Sequence, residues 1–192
     1  LQLSKELNIK NIKIRINIKS DFKKKILIIK KNNFQFAIDL ISNTYEKNEI
    51  LKFPKFLKFI DKYNPLWIEE VLNVNELLNF KKLKNKYKLK YSYGENFNSK
   101  FDFFNLIKFY NFKYLNLDIS HITITEFIDI IDYLKKNKLN NKILFHCWGG
   151  IINLHTSLEL ASLFKDQIFM TELPIADFSL NNEFIKKIDI VD

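Results

Sequence analysis

Polar residues that follow short apolar runs at a nearly constant interval constrain the fold of this chain more than any other feature. Each apolar run has the length and composition of a buried β-strand, and a helical pattern separates it from the next run. Successive polar residues are 23–30 positions apart, which is about the length of one βα unit. This regularity predicts an α/β fold with a parallel sheet and helices outside it. The seven residues are Arg15, Asp39, Glu69, Glu95, Asp118, His146 and Glu172.

The predicted elements alternate along the whole chain. The apolar runs predict strands at 12–16, 34–38, 66–68, 89–93, 114–117, 142–145 and 167–170. Helical spacing predicts helices at 22–31, from Pro54 onward, at 74–87 and at 101–110. Two more helices are predicted from apolar faces, one formed by Phe127, Ile130, Ile131 and Leu134 and the other by Ile151, Leu154, Leu158 and Ala161. A long loop is expected after Asp39.

The strand ends favour one arrangement of this sheet. In a (β/α) barrel, residues at the carboxyl ends of the strands converge on one mouth, where active sites lie. We therefore predict a single partial TIM-type barrel domain over residues 1–192. A doubly wound open sheet is the alternative, although no Gly-rich phosphate loop follows any of the strands.

Composition excludes several classes of protein. The chain is 47% hydrophobic and 15% aromatic, which is enough for a sizeable core and argues against disorder. Its apolar runs all fall well short of the ~18 residues of a membrane span, and no signal peptide is visible. The single cysteine, Cys147, excludes an internal disulfide and fits a reducing compartment, so we expect a cytoplasmic protein. Because the chain starts with Leu1, we expect it to be a fragment.

The net charge of +9 raises the question of nucleic-acid binding. The lysines are spread over every predicted helix, and there is no dense basic block or recognition motif. Of 31 basic residues only Arg15 is an arginine. A basic nucleic-acid-binding module is therefore a distant alternative, and we predict neither a nucleic-acid nor a membrane partner.

Three of the strand-end residues are carboxylates on neighbouring predicted strands. Asp39, Glu69 and Glu95 would repel one another strongly at close range unless a cation lay between them. A hard divalent ion with oxygen ligands, Mg²⁺ first, is the natural partner. The alternative is that each carboxylate caps the helix that follows its strand. We favour the metal site because all three are in register.

The next two strand ends carry an acid and an imidazole. A carboxylate beside a histidine sets its tautomer and raises its basicity, so Asp118 and His146 are a candidate acid–base pair. His121 and His155 lack such a context, and we interpret both as structural. On the first strand, Lys13 and Arg15 are two positions apart and face the same side. The planar guanidinium group of an arginine can bind a carboxylate with two parallel hydrogen bonds.

These residues lie in motifs that resemble those of the enolase superfamily, and within it the mandelate racemase and muconate lactonising enzyme family. The resemblance covers residues 1–175, and the Asp–His pair favours the racemase-type subgroup. The motifs follow family order: Lys13-Ile14-Arg15, Ala37-Ile38-Asp39, Trp67-Ile68-Glu69-Glu70, Tyr93-Gly94-Glu95-Asn96, Asn116-Leu117-Asp118, Phe145-His146-Cys147-Trp148-Gly149 and Thr171-Glu172.

The resemblance implies the barrel domain of an enolase-like (β/α)7β fold, of which about seven βα units are expected here, without the capping domain and the first strand. It implies Mg²⁺ held by Asp39, Glu69 and Glu95. It also implies catalysis by His146 with Asp118, and binding of the substrate carboxylate or oxyanion by Lys13, Arg15 and Glu172. The expected activity is that of an acid-sugar dehydratase, a hydro-lyase acting on a small hydroxy-acid substrate. A homo-oligomer is expected for the full-length protein.

The sequence also departs from the family motifs. Arg15 replaces a lysine that can be a base in the family, and arginine stays protonated, so one of the two opposed bases of a racemase is lost. Val71 replaces a proline, Ile41 stands where the family has an asparagine, and Thr123-Ile124 lies near the place of a Gly-Gly pair. Racemase or epimerase activity, and an inactive truncated homologue, are therefore the alternatives to dehydration.

Overall fold

The structure is a computed structural model that describes residues 8–18, 22–40, 53–71, 86–110 and 112–174. The chain divides into two compact units, Leu1–Tyr93 and Gly94–Asp192. Strands and helices alternate in both. The prediction of one domain over the whole chain stays a prediction. No helix of the described residues is long and apolar enough to cross a membrane.

In the part of the first unit that the structure describes, four parallel strands neighbour one another in chain order. Its strands are β1 (Asn11–Arg15), β2 (Gln35–Asp39), β3 (Ile68–Glu69) and β4 (Tyr91–Tyr93), and its described helices are α1 (Phe22–Lys31) and α2 (Phe53–Asp61). The register places Arg15 beside Asp39, and Asp39 beside Glu69. Because parallel strands in register present the same face at paired positions, these three side chains lie side by side at the strands' carboxyl ends.

The described residues of the second unit form three parallel strands, also in chain order. Its strands are β5 (Tyr114–Leu117), β6 (Lys142–Phe145) and β7 (Ile168–Thr171), and its helices are α3 (Lys100–Tyr110), α4 (Ile124–Lys136) and α5 (Ile151–Leu163). Strands β5 and β6 pair without a shift from Tyr114 to Leu117, which brings their carboxyl ends level. A register irregularity separates β6 from β7 at Ile143 and Leu144.

Helix α4 shows how the sequence specifies these elements. Thr123 and Glu126 form a capping box in which each side chain bonds the other residue's backbone N–H, so the helix begins at Ile124. The predicted apolar face, Phe127, Ile130, Ile131 and Leu134, is the buried face. The Phe127 ring packs against Phe145 of β6 and Phe164, at centroid distances of 5.5 and 5.3 Å. Most of the other predicted elements agree with the observed ones to within one or two residues.

Three of the predicted elements differ from the observed ones or lie partly outside the described residues. The helix predicted from Pro54 begins at Phe53, consistent with proline in a first helical turn. The predicted helix at 74–87 and the loop after Asp39 lie mostly outside the described residues, but 86 and 87 are a turn and a bend, so helix does not reach Tyr87. Strand β3 is only two residues long, whereas a strand from residue 66 was expected.

The predicted buried face of α5 is wrong. The helix buries Asn153, Ser157 and Leu160, whereas Leu158 is about half exposed and Ile152 more so. Apolar periodicity failed here because apolar residues are distributed around nearly all sides of the helix. Hydrophobicity therefore does not select the inward face. The inward face is selected by hydrogen bonds, which are described below.

Gly94 is expected to tolerate no side chain. Its φ is +122°, and an added Cβ would lie 2.8 Å from Phe103 and 3.0 Å from the Asn116 carbonyl oxygen. Strain and overlap together predict that Gly94→Ala lowers the free energy of unfolding by about 2 kcal/mol. Urea denaturation would measure this, with Asn98→Ala, an exposed position in the same loop, as the control. Equal stability of the two variants would contradict the prediction.

Candidate active site

Two of the predicted metal ligands form a buried pair in the first unit. Asp39 and Glu69 are 2% and 1% exposed and are paired in register on β2 and β3. Lys13 Nζ donates to Glu69 Oε1 at 2.7 Å, and Arg15 Nε donates to Asp39 Oδ2 at 3.0 Å. Trp67 Nε1 donates to Glu69 Oε2 at 3.0 Å. Each of the two carboxylates therefore has a cationic side chain against it.

This pair fits a hard cation. Buried carboxylates require positive charge nearby, since ionised groups are costly to transfer out of water unless paired. Here Lys13 and Arg15 supply that charge, and a divalent ion would bind to carboxylate oxygens that these two side chains already contact. The donor atoms of Asp39 and Glu69 are the carboxylate oxygens that Mg²⁺ prefers.

The third predicted ligand, Glu95, lies in the second unit, just after Gly94. Asn116 Nδ2 donates to its Oε2 at 3.2 Å, and the Glu95 carbonyl oxygen accepts from His121 Nδ1 at 2.7 Å. In the part of the chain that the structure describes, no three His, Cys, Asp or Glu side chains group closely enough to hold a metal ion. The site formed by Asp39, Glu69 and Glu95 together stays a prediction from the motifs.

The predicted acid–base pair is in contact. His146 follows β6, and Asp118 follows β5. The His146 backbone N–H donates to the Leu117 carbonyl oxygen, which links the two strand ends. His146 Nδ1 lies 2.7 Å from Asp118 Oδ2, and both side chains are largely buried. His146 Nε2 lies on the other side of the ring, 3.8 Å from Glu95 Oε2. The second unit thus brings together three of the predicted site residues.

The charge state of Asp118 determines which atom carries the proton. Burial acts to raise the pKa of this carboxyl, but hydrogen bonds from His146 and Ser120 outweigh burial and lower the pKa to about 2. The carboxylate is therefore ionised at neutral pH and can only accept. It follows that His146 carries a proton on Nδ1, and that the lone pair of a neutral His146 is on Nε2.

The lowered pKa predicts a loss of stability in acid. The carboxyl pKa is about 3.9 in an unfolded chain and about 2 in the folded protein. The ionised Asp118 therefore contributes stability that is complete above about pH 5 and lost as the pH falls toward 2, by about 2 kcal/mol. Urea denaturation across this range should show that the difference between wild type and Asp118→Asn shrinks in acid. Asp132→Asn, an exposed carboxylate of α4, is the control, and a constant difference would contradict the prediction.

A set of uncharged residues around Asp118 was not predicted from the sequence. Its Oδ1 accepts from the Ser120 backbone at 2.8 Å, from Ser120 Oγ at 2.5 Å and from Asn153 Nδ2 at 2.6 Å. Ser157 Oγ in turn donates to Asn153 Oδ1 at 3.1 Å. The signal that could have found them is the spacing of Asn153 and Ser157, which are four positions apart and therefore lie on one face of α5.

The remaining candidates occupy different surroundings. Glu172 follows β7, and its backbone N–H donates to the Phe145 carbonyl oxygen at 2.9 Å, one strand from His146. Burial raises the pKa of the Cys147 thiol to about 11, although a hydrogen bond with Ser157 opposes the effect, so this thiol is not a nucleophile at neutral pH. The His155 side chain on α5 is 77% exposed, and its Nε2 lies 3.8 Å from Glu159 Oε1.

Sequence comparison identifies the family to which the chain belongs. A family model for enolase C-terminal domain-like proteins matches residues 13–192. The chain belongs to this family. The resemblance expected from the motifs, to the enolase superfamily and its mandelate racemase-like members, is thereby confirmed. Among curated proteins, none matches the sequence significantly.

Solved structures of the enolase superfamily have the same fold. The 3,6-anhydro-D-galactonate cycloisomerase from Zobellia galactanivorans superposes with a TM-score of 0.76 at 21% identity, over 94% of this chain and 51% of that one. A superfamily member from Agrobacterium tumefaciens gives 0.76 at 16% identity, over 94% and 47%. L-Talarate dehydratase from Polaromonas sp. JS666, complexed with Mg and L-glucarate, gives 0.71 at 18% identity, over 90% and 47%.

These comparisons confirm the predicted fold class, an α/β incomplete TIM-type barrel of the enolase superfamily. The chain spans about half the length of each of these structures. The cytoplasmic location, the homo-oligomer and the lack of a nucleic-acid partner remain predictions.

Proposed function

We propose that the protein is a Mg²⁺-dependent acid-sugar dehydratase, a carbon–oxygen lyase that removes the proton next to a carboxylate and expels the β-hydroxyl group as water. The observation that carries the proposal is the 2.7 Å contact between His146 Nδ1 and Asp118 Oδ2 at the ends of two neighbouring strands. Proteins of this family catalyse several different reactions, so dehydration is inferred from the chemistry of the residues at the site.

His146 would act as the acid–base residue through Nε2. Asp118 holds the proton on Nδ1, so that a neutral ring presents its lone pair at Nε2 and takes the α-proton of the substrate there. The resulting imidazolium is stabilised by the ionised Asp118, and it can return the proton to the departing β-hydroxyl group. One residue would then serve both halves of the elimination.

The predicted ligands Asp39, Glu69 and Glu95 would hold Mg²⁺. When bound, the ion supplies positive charge that stabilises the ene-diolate form of the substrate carboxylate. The pairing of two buried carboxylates in the first unit supports this assignment. The choice of Glu95 depends on its Gly-Glu-Asn motif.

Lys13, Arg15 and Glu172 would bind the substrate carboxylate and the developing oxyanion. The Arg15 side chain is 60% exposed while its Nε contacts Asp39, so its remaining N–H groups are accessible to a ligand. Arginine does not act as a base. With His146 as the one good base, elimination is favoured over racemisation, which needs a base on each face of the substrate.

The substrate class is supported by one of the similar structures. The L-talarate dehydratase contains Mg and L-glucarate, a sugar diacid with a hydroxyl group next to each carboxylate. Such α,β-dihydroxy acids have both the acidic proton and the leaving group that His146 would need. We therefore propose acid sugars as the substrate class of this protein.

The test is an assay of the purified protein with Mg²⁺ against a panel of acid sugars. We expect at least one substrate to give a 2-keto-3-deoxy acid, detected by its semicarbazone, and chelation of Mg²⁺ to abolish the reaction. Deuterium incorporated from solvent at the α-carbon without loss of water would instead indicate a racemase or epimerase. No turnover and no Mg²⁺ binding would indicate an inactive homologue and refute the proposal.

A further inference from the structure

We infer that Asn153 is a positioning residue that holds Asp118 in the orientation in which it binds His146. Asn153 lies on α5 and donates to the Asp118 carboxylate, through which it acts on His146. Contacts within the second unit support the positioning of Asp118 by Asn153. A role of this positioning in catalysis depends on the proposed function.

The two oxygens of Asp118 have separate partners. Oδ2 binds His146 Nδ1, and Oδ1 accepts from Ser120 and from Asn153 Nδ2 at 2.6 Å. Ser120 is only two residues from Asp118, so it can follow the carboxylate if the turn moves. Asn153 approaches from a different element, and a carboxylate held from two elements cannot rotate freely about its last bond.

The orientation of the Asn153 amide is itself specified. The ionised Asp118 can only accept, so the Asn153 nitrogen faces Asp118, and the amide oxygen accepts from Ser157 Oγ at 3.1 Å. Ser157 and Asn153 are 0% and 4% exposed. Burial of these polar groups lowers stability unless their hydrogen bonds are made. The network therefore accounts for the inward position of Asn153 and Ser157 on α5, while the apolar Ile152 and Leu158 remain exposed.

Gly149 provides an independent observation. A Cβ at this position would lie 2.8 Å from Asn153 Nδ2, 3.1 Å from Asn153 Cβ and 3.3 Å from Ser120 Oγ. The loop after His146 therefore passes directly over the donors to Asp118, with no room for a side chain. A glycine here lets the loop close over the Asn153 amide without displacing it.

The test is nuclear magnetic resonance of the protein labelled with ¹⁵N in its histidine rings, without substrate. In wild type we expect one His146 tautomer, with the proton on Nδ1. Asn153→Asp keeps the size of the side chain but replaces the donor by an acceptor. Gly149→Ala keeps Asn153 but displaces its amide. In both variants we expect a mixture of His146 tautomers, while the exposed His155 ring signals stay unchanged.

Asn140→Asp makes the same charge change at an exposed position of the same unit and should leave the His146 signals as in wild type. Thermal unfolding followed by circular dichroism identifies the variants that fold. Ser157→Ala is a milder variant, because it removes only the hydroxyl group that donates to the Asn153 amide oxygen. The inference is overturned if the folded variants keep the wild-type His146 signals. Altered signals support it whether or not the protein dehydrates acid sugars, so failure of the proposed function is recognised separately, by the absence of turnover.

Discussion

Asparagine in place of His146 is expected to lower turnover of the acid-sugar substrate about 1,000-fold. A positioned acid–base residue contributes roughly 10²–10⁴-fold to a rate, and His146 would serve both proton abstraction and departure of water. Asparagine can still donate to Asp118, whose Oδ2 lies 2.7 Å from the ring nitrogen, so packing and charge pairing change little. The measurement is kcat under saturating substrate and Mg²⁺.

His155→Asn is the matched control, because it makes the same substitution at an exposed histidine of the same unit. It should retain wild-type turnover. Solvent-deuterium exchange at the substrate α-carbon adds a second readout, since it requires only proton abstraction. Unchanged turnover and exchange in His146→Asn would remove this residue from the proposed mechanism.

Glutamine in place of Glu69 is expected to weaken Mg²⁺ binding by about 100-fold or more. Loss of even an indirect partner of a metal ligand typically costs 10–100-fold in affinity, and Glu69 would be a direct ligand. In wild type, Mg²⁺ at ~100 times its Kd should stabilise the folded protein by about 2.7 kcal/mol. Thermal unfolding with and without Mg²⁺ measures both quantities, and the variant should lose most of the stabilisation.

The control for this experiment is Asp61→Asn, which removes a carboxylate from the same unit at the end of α2. It should keep the Mg²⁺-dependent rise in Tm. Glu69→Gln also changes the partner of Lys13, so its Tm without Mg²⁺ serves as its own baseline. A Mg²⁺ effect equal in Glu69→Gln and wild type would show that Glu69 is not a ligand.

Much of the fold could be predicted because apolar periodicity and burial agree along most of the chain. Helix α4 is the clearest case, since Phe127 and Leu134 lie on the predicted face and that face is buried. The contact between Asp118 and His146 was also predictable, because residues at the ends of neighbouring parallel strands lie side by side.

What could not be predicted depends on hydrogen bonds rather than hydrophobicity. The inward face of α5 is selected by Asn153 and Ser157, and a count of apolar residues gives these two no weight. The pairing of Lys13 with Glu69 likewise joins residues 56 positions apart, and it depends on the reach of a long side chain across the sheet. Periodicity predicts which face a residue occupies, but it does not predict the partners of its polar atoms.

The burial of Cys147 gives the protein an internal probe of local opening. Alkylating reagents react with the thiolate, and this thiol is both inaccessible and protonated at neutral pH. It is the only cysteine of the chain and directly follows His146. Its labelling rate in the native protein therefore measures how often the segment that carries His146 opens to solvent. A substrate or cation that orders this segment will slow the labelling, and binding can be followed in this way without any turnover.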